Sequence, residues 1–188
     1  MKTRKILSAV LFAMAITFGT TAFAQKEKTV TVGGAPMYPS KNIVENAVNS
    51  KDHTTLVAAV KAAGLVETLQ GKGPFTVFAP TNAAFDKLPK GTVETLLKPE
   101  NLKTLQAILT YHVVAGKMSA AAIVKAIKAG DGKAELTTVQ GGKLTAWMDG
   151  NKVYISDENG GKSMVTIADV NQSNGVIHVI DAVVTPKL

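Results

Sequence analysis

Gly132 divides this chain into two regimes of hydrophobic spacing, and that division restricts its fold more than any other feature. Before Gly132, apolar residues recur at helical intervals in short blocks. Ile43, Val44, Ala47 and Val48 form one, and Leu56, Val57, Val60 and Ala63 a second. Leu102, Leu105, Ile108 and Leu109 form a third with His112 on the same stripe, and Ile123, Val124 and Ile127 a fourth. After Gly132 the spacing turns extended, with strands expected at 135–139, 143–148, 152–156, 163–170 and 175–184. Gly141-Gly142 and Asp149-Gly150-Asn151 supply hairpin turns between the first three. A block of helices followed by a block of mostly hairpin-linked strands reads as a single α+β domain.

Punctuation within the helical block sharpens the reading. Ser40 is expected to cap the first helix, Asp52 the second, Thr81 a short turn carrying Ala84, Phe85 and Leu88, and Ser119 the last. Gly64 and Gly130 stand where helix exits favour glycine, and Pro99 can open the long helix that ends near His112. Further short helices are expected at 65–69 and 92–97. Between the breakers Gly73-Pro74 and Pro80 lies Phe75-Thr76-Val77-Phe78-Ala79, a buried-strand pattern inside the helical block, and Val113-Val114 leads out as another strand. Residues 25–39 are polar, then rich in glycine and proline, and read as an arm preceding a domain over residues 40–188.

The first 24 residues set the compartment. Lys2, Arg4 and Lys5 precede an apolar run over residues 6–18, and small residues ending Ala22-Phe23-Ala24 follow. This is the pattern of a cleaved secretory leader, and its apolar run is shorter than the roughly 20 residues that span a bilayer. The chain has no cysteine, so export leaves it without disulfides and without a thiol for lipid attachment. The expectation is an exported protein, periplasmic or secreted, with no stable membrane anchor. Three of the 21 basic residues and none of the 14 acidic ones fall in the leader, which leaves a net charge of +4. No arginine follows Arg4 and the lysines are scattered, which argues against nucleic acid as a partner and leaves a weak preference for acidic surfaces.

Catalytic patterns are missing from the sequence. There is no cysteine nucleophile and no Gly-x-Ser-x-Gly turn. His53, His112 and His178 lie in separate elements without metal-ligand spacing, so neither a metal nor a cofactor is expected. His178 and Asp181 are three apart on an extended run, which puts them on opposite faces. The oxygen-rich segment 149–159 lacks the residue order of a calcium loop and reads as turns.

Three stretches together resemble the fasciclin-type domain family. They are Gly73-Pro74-Phe75-Thr76-Val77-Phe78-Ala79-Pro80-Thr81-Asn82-Ala83-Ala84-Phe85, then Tyr111-His112-Val113-Val114, then Asn174-Gly175-Val176-Ile177-His178-Val179-Ile180-Asp181 and its continuation to Pro186. The resemblance implies a β-sandwich-like wedge of mostly antiparallel strands with a layer of short helices, in a non-enzymatic adhesion or protein-interaction module. It also singles out residues. Phe75, Val77, Pro80, Thr81, Asn82, Phe85, Asn174, Gly175, His178 and Asp181 are the signature positions, read as structural, with Asn82 and Asn174 organising turns or caps. Tyr111 and His112 are the binding candidates, because the Tyr-His motif is implicated in adhesion by some animal members, but a structural histidine at a helix exit, largely buried with its nitrogens committed, is the preferred reading of position 112. Partners implied are a protein or polysaccharide at the cell surface, with self-association left open. The alternative is a carrier of a small hydrophobic ligand such as a carotenoid or lipid, since certain family members bind carotenoids. An exposed aromatic or apolar patch would favour adhesion, and a continuous apolar cavity would favour the carrier. Mass spectrometry of the protein recovered from its native host should find Gln25, cyclised or free, at the N-terminus. An intact Met1 or an attached lipid contradicts the export reading.

Overall fold

The computed structural model describes residues 28–187, so the leader expected over residues 1–24 lies outside them. Two strands, β1 (Val30–Val32) and β2 (Ala35–Met37), form an antiparallel hairpin. Helices α1 (Ile43–Ala47), α2 (Thr54–Ala62) and α3 (Val66–Gln70) follow. Next come strand β3 (Phe75–Pro80) and helices α4 (Asn82–Asp86), α5 (Thr92–Leu96) and α6 (Leu102–Tyr111). Strand β4 (Val113–Ala115) and helix α7 (Ala120–Ala129) complete the first block. The extended block is β5 (Lys133–Thr137), β6 (Lys143–Asp149), β7 (Lys152–Ser156), β8 (Lys162–Gln172) and β9 (Gly175–Ile180). The division at Gly132 therefore holds, and the fold is α+β.

A seven-stranded sheet in the order β4-β3-β9-β8-β7-β6-β5 organises these elements. Its pairings are antiparallel except at the centre, where β3 runs parallel to β9 from Phe75 opposite Gly175 to Pro80 opposite Ile180. Both central strands are covered on both faces, as parallel pairs are. Alternation along β3 then feeds two cores. Val77 and Ala79 join Ile177 and Val179 beneath α1, α2, α6 and the β1–β2 hairpin. Phe78 and Ile180 join Tyr111, Leu144 and Ile155 on the other side, where Ile123 and Ile127 of α7 close the cluster. Irregular register along β8 bends the sheet, and a bridge from Val114 to Thr138 brings its two edges together into a nearly closed wedge.

Glycine is required where the two central strands begin. A Cβ on Gly175 would lie 2.2 Å from the Phe75 carbonyl oxygen, and one on Gly73, at φ +51°, would lie 2.2 Å from that of Asn174. Any side chain there would push β3 and β9 apart.

The segment expected as an arm differs from that expectation. The Thr-Val alternation at its centre is β1, and Val32 and Met37 are buried in the first core. Asn46 of α1 secures the hairpin by accepting the Tyr38 N–H at 3.0 Å and donating to the Tyr38 carbonyl at 2.8 Å and to Gln172.

Helix starts depart from the sequence reading at two of four caps. Thr81 and Ser119 cap α4 and α7 as expected, accepting N–H groups at 3.3 and 3.2 Å. For α1 the cap is Asn42, in a reciprocal box with Glu45, and not Ser40. For α2, a 3-10 turn at Lys51–His53 delays the helix to Thr54 and places Asp52 inside the turn, where it caps nothing. The cap comes from another element: Asn82 accepts the Thr55 N–H at 3.0 Å and donates to the Lys51 carbonyl at 2.9 Å. Gly64 is left-handed as expected (φ +68°), whereas beyond α7 the left-handed residues are Asp131 and Gly132 instead of Gly130. Asn82→Ala should therefore lower stability by about 1 kcal/mol, the usual worth of an N-cap. Asp52→Ala should stay within about 0.5 kcal/mol of the parent in paired urea melts. The reverse order would return the cap to Asp52.

Candidate functional site

Helix α6 carries Leu105, Ile108 and Leu109 into the interior and so delivers its last turn, Tyr111 and His112, to the seam between the two cores. Helix ends leave carbonyls unpaired, and His112 meets one of them: its Nδ1–H donates to the Ile108 carbonyl at 2.8 Å. Its Nε2 accepts the Val184 N–H at 3.3 Å, which fixes the neutral tautomer. The Tyr111 hydroxyl donates to the Lys143 carbonyl at 2.5 Å and accepts the Glu158 N–H at 3.3 Å. Between them the two side chains tie the end of α6 to the start of β6, the β7–β8 turn and the C-terminal segment. Asp157 continues this latch by accepting the Thr185 N–H at 2.9 Å.

Both side chains are interior: Tyr111 is 0% and His112 3% exposed. The preferred structural reading of His112 agrees with this burial, and the candidacy of Tyr111 and His112 as a surface contact pair is corrected. The folded domain offers neither ring to a partner, and both rings spend their polar atoms on the chain's own backbone. Burial pushes the Tyr111 phenol up to about 12 and the His112 imidazole down to about 4. His53 and His178 are lowered for the same reason. His178 stacks on Phe78, its register partner in β3, and binds the Met118 carbonyl at 2.8 Å through Nε2.

The other signature residues hold elements to one another. Phe75, Val77 and Phe85 pack in the first core, Pro80 ends β3, Gly175 allows the close strand approach, and Thr81 and Asn82 are caps. Asn174 accepts the Ile43 N–H at 3.0 Å and donates to the Leu69 and Gly71 carbonyls at 2.8 and 2.9 Å, joining the start of α1 to the end of α3. For Asp181, burial would raise the carboxyl, but the Met164 N–H, the Lys87 ammonium and the Ser163 hydroxyl outweigh it and hold the group below the usual range. Asp181 and His178 face apart, each with its own partners.

Besides a partly polar recess of about 290 Å3 beside Val30, Met37 and Asn171, two features stand out as places where a ligand could sit. One is an apolar cavity of about 60 Å3 in the first core, lined by Leu56, Val60, Val77, Leu109 and Ile177. His53 reaches it with Nδ1 paired to the Ser50 hydroxyl at 2.9 Å and Nε2 without a hydrogen-bond partner. The other is the outer face of β5–β8, which neither core includes. There Lys133, Trp147, Tyr154 and Met164 lie in one cross-strand row, with the Trp147 and Tyr154 rings stacked at 4.7 Å. This row lies outside the motifs that single out the signature residues. The signal was present, because in 143–149 and 152–156 the aromatic residues alternate with the inward Leu144, Ala146 and Ile155. Among the described residues no group of three or more histidines and carboxylates is placed to hold a metal ion, and no helix is long and apolar enough to cross a membrane.

The family model for the fasciclin domain matches residues 51–186. The chain belongs to the fasciclin domain family. It is 45% identical to Protein sll1483 of Synechocystis sp. over 98% of this chain and 97% of that one. It is 38% identical to the Immunogenic protein MPB70 of Mycobacterium bovis over 74% of this chain and 66% of that protein. With the Transforming growth factor-beta-induced protein ig-h3 of Sus scrofa it shares 35% identity over 79% of this chain, which spans only 20% of that longer protein. Among solved structures, a FAS1 domain pair from the insect cell adhesion molecule fasciclin I superposes with a TM-score of 0.68 at 18% identity, covering 87% of this chain and 58% of that one. The likeness to that pair establishes the fold shared by this fasciclin domain.

The lowered imidazole of His112 has a defined consequence for stability. Its folded value lies below the unfolded 6.5, so the unfolded chain takes up the proton first as pH falls. The stabilisation is complete above pH 6.5 and is lost toward pH 4, by about 3 kcal/mol for this one group. Urea midpoints should therefore fall steadily between pH 7 and 4.5. His112→Gln should begin lower at pH 7, by about 1–3 kcal/mol, and fall less over the same range. Parallel profiles for the two proteins would show that His112 is not the buried titrating group.

Proposed function

We propose that this fasciclin domain is an exported, non-enzymatic adhesion or protein-interaction module that engages a component of the cell surface through the outer face of β5–β8. The observation that carries the reading is the placement of the chain's only tryptophan, stacked on Tyr154 outside both hydrophobic cores. A large aromatic pair on an uncovered sheet face is the type of surface that interfaces use. The signature residues support the same view from the other side, since Tyr111, His112, Asn82 and Asn174 direct their polar atoms inward and leave recognition to the exterior.

The carrier alternative finds less support. The apolar cavity of about 60 Å3 falls well short of the roughly 300–1,000 Å3 that pockets for drug-sized ligands occupy, and the wider recess of about 290 Å3 beside Val30 and Met37 has Lys28, Asp169 and Asn171 in its lining, a poor match to a pigment or lipid. Carotenoid or lipid carriage would need the helical layer to lift from β3 and β9, which exposes the first core. The distinguishing experiment uses protein purified from its native host. Its organic extract should contain no stoichiometric lipid or pigment, and the same protein should be retained on envelope or matrix material from that host. A bound pigment or lipid at one equivalent, or no retention on that material, overturns the adhesion reading.

A further inference from the structure

The outer sheet face carries a second pattern besides its aromatic pair. Its side chains come from alternate residues of β5, β6, β7 and β8, and the register places Lys133, Trp147, Tyr154 and Met164 in one row across the four strands. Strands lie about 4.8 Å apart, so the row runs for about 14 Å. The neighbouring row, Glu135, Thr145, Ser156 and Lys162, has two hydroxyls at its centre between charged ends. The face is thus a shallow track with aromatic rings and a thioether along one line and hydroxyls along the next.

Its charge is one-sided. Glu135 is engaged by Lys143 at 2.7 Å, and Asp149 stands opposite Lys152 in the register. Among the described residues Lys133 and Lys162 have no carboxylate partner. Lys162 sits with its ammonium 5.6 Å from the centre of the Trp147 ring, so a positive charge without a carboxylate partner and the aromatic pair occupy the same place.

We propose that this track binds an anionic polysaccharide, with the Trp147–Tyr154 pair packing against sugar rings and Lys133 and Lys162 meeting carboxylates on the polymer. The inference rests on the adhesion reading above and assigns its partner a chemistry. Each part of the track answers one property of a uronic acid chain: weakly polar C–H faces for the aromatic rings, hydroxyls for Thr145 and Ser156, and spaced negative charge for the lysines. With no arginine in the described residues, carboxylates would be met by single ammonium contacts instead of forked guanidinium pairs. Other occupants fit less well. A second copy of the domain laid face to face would set unpaired lysines against one another. A bilayer would require aliphatic side chains to insert, and the large hydrophobic residues most exposed on this protein, Tyr38, Val48, Leu97, Leu102 and Val139, all lie off this face.

The test exploits Trp147 as the sole tryptophan, whose emission reports from the track itself. Titration of the full mature protein with polygalacturonate should give a saturable change in that emission, weakening as salt rises. Dextran, which has sugar rings but no carboxylates, should give little. In affinity gels containing the polyuronate, Tyr154→Ala and the pair Lys133→Gln with Lys162→Gln should each raise the Kd about fivefold to tenfold. Lys98→Gln with Lys103→Gln, which removes equal charge from the helical side, should change it less than about twofold. Urea melts confirm that each variant remains folded. Equal loss from the helical-side pair, equal binding of dextran, or binding to phosphatidylglycerol vesicles without binding to the polyuronate would each overturn the proposal. Retention on native envelope material with no affinity for polyuronate overturns this inference and leaves the adhesion reading standing, whereas loss of that retention removes the adhesion reading itself.

Discussion

The parallel pairing of β3 with β9 is the contact on which the rest of the molecule depends. It joins segments from opposite ends of the domain, and it is buried on both faces, so that each residue along it belongs to one core or the other. Phe78 and His178 stack across the pair on one side, while Val77, Ala79, Ile177 and Val179 line the other. Every helix that covers the first core and every hairpin that closes the second is placed relative to this two-strand spine. Such pairing closes a long loop before any contact rewards it, so its order is bought with tight local fit: glycines where the strands begin and Asn174 joining two helix ends beside them.

The polar side chains near the spine share a mode of action. Asn82, Asn174 and His112 each satisfy backbone groups from an element distant in sequence, and Asn46 satisfies those of Tyr38 while reaching the side chain of Gln172. Buried N–H and C=O groups must find partners, and a chain with many short helices has many ends to satisfy. An asparagine offers an acceptor and two donors in a small volume and can serve two helix ends at once. Such residues specify how the layers dock, and the loss of one leaves more than one buried group unpaired. That accounts for a Tyr-His motif held inside the molecule, where it fastens the C-terminal segment to α6.

Much of this was legible in the sequence. The change of period at Gly132, the strand at 152–156 and the caps at Thr81 and Ser119 follow from local patterns, and the structure agrees with them. What local patterns could not supply was partnership. Phe75 to Pro80 reads as a buried strand from its composition, but nothing in it names β9 as its parallel neighbour. The α2 cap was misplaced for the same reason. Asp52 is a good cap by local spacing, yet the 3-10 turn moves the helix start onward, and the oxygen that meets Thr55 arrives from Asn82. The hairpin in residues 30–37 reads as an arm because each strand is only three residues long, its Thr-Val alternation too brief to mark a strand, and it is held by burial of Val32 and Met37.

The outer face of β5–β8 shows the complementary situation. Its alternation is as readable as that of the core strands, since once Leu144, Ala146 and Ile155 are turned inward the hairpin geometry forces Trp147 and Tyr154 outward and side by side. A cross-strand aromatic pair is worth some stability to the sheet on its own, by about 0.2–1 kcal/mol. That contribution alone would be served equally by β-branched residues, which do not expose a wide ring to water. Tryptophan half-buried on a lysine-edged face leaves part of a wide apolar ring in contact with solvent, which the fold has no need to leave there. The buried signature residues and the half-buried outer pair therefore divide the labour of the domain: the first determine that it folds as a fasciclin domain, and the second is where members of one fold are free to differ in what they hold.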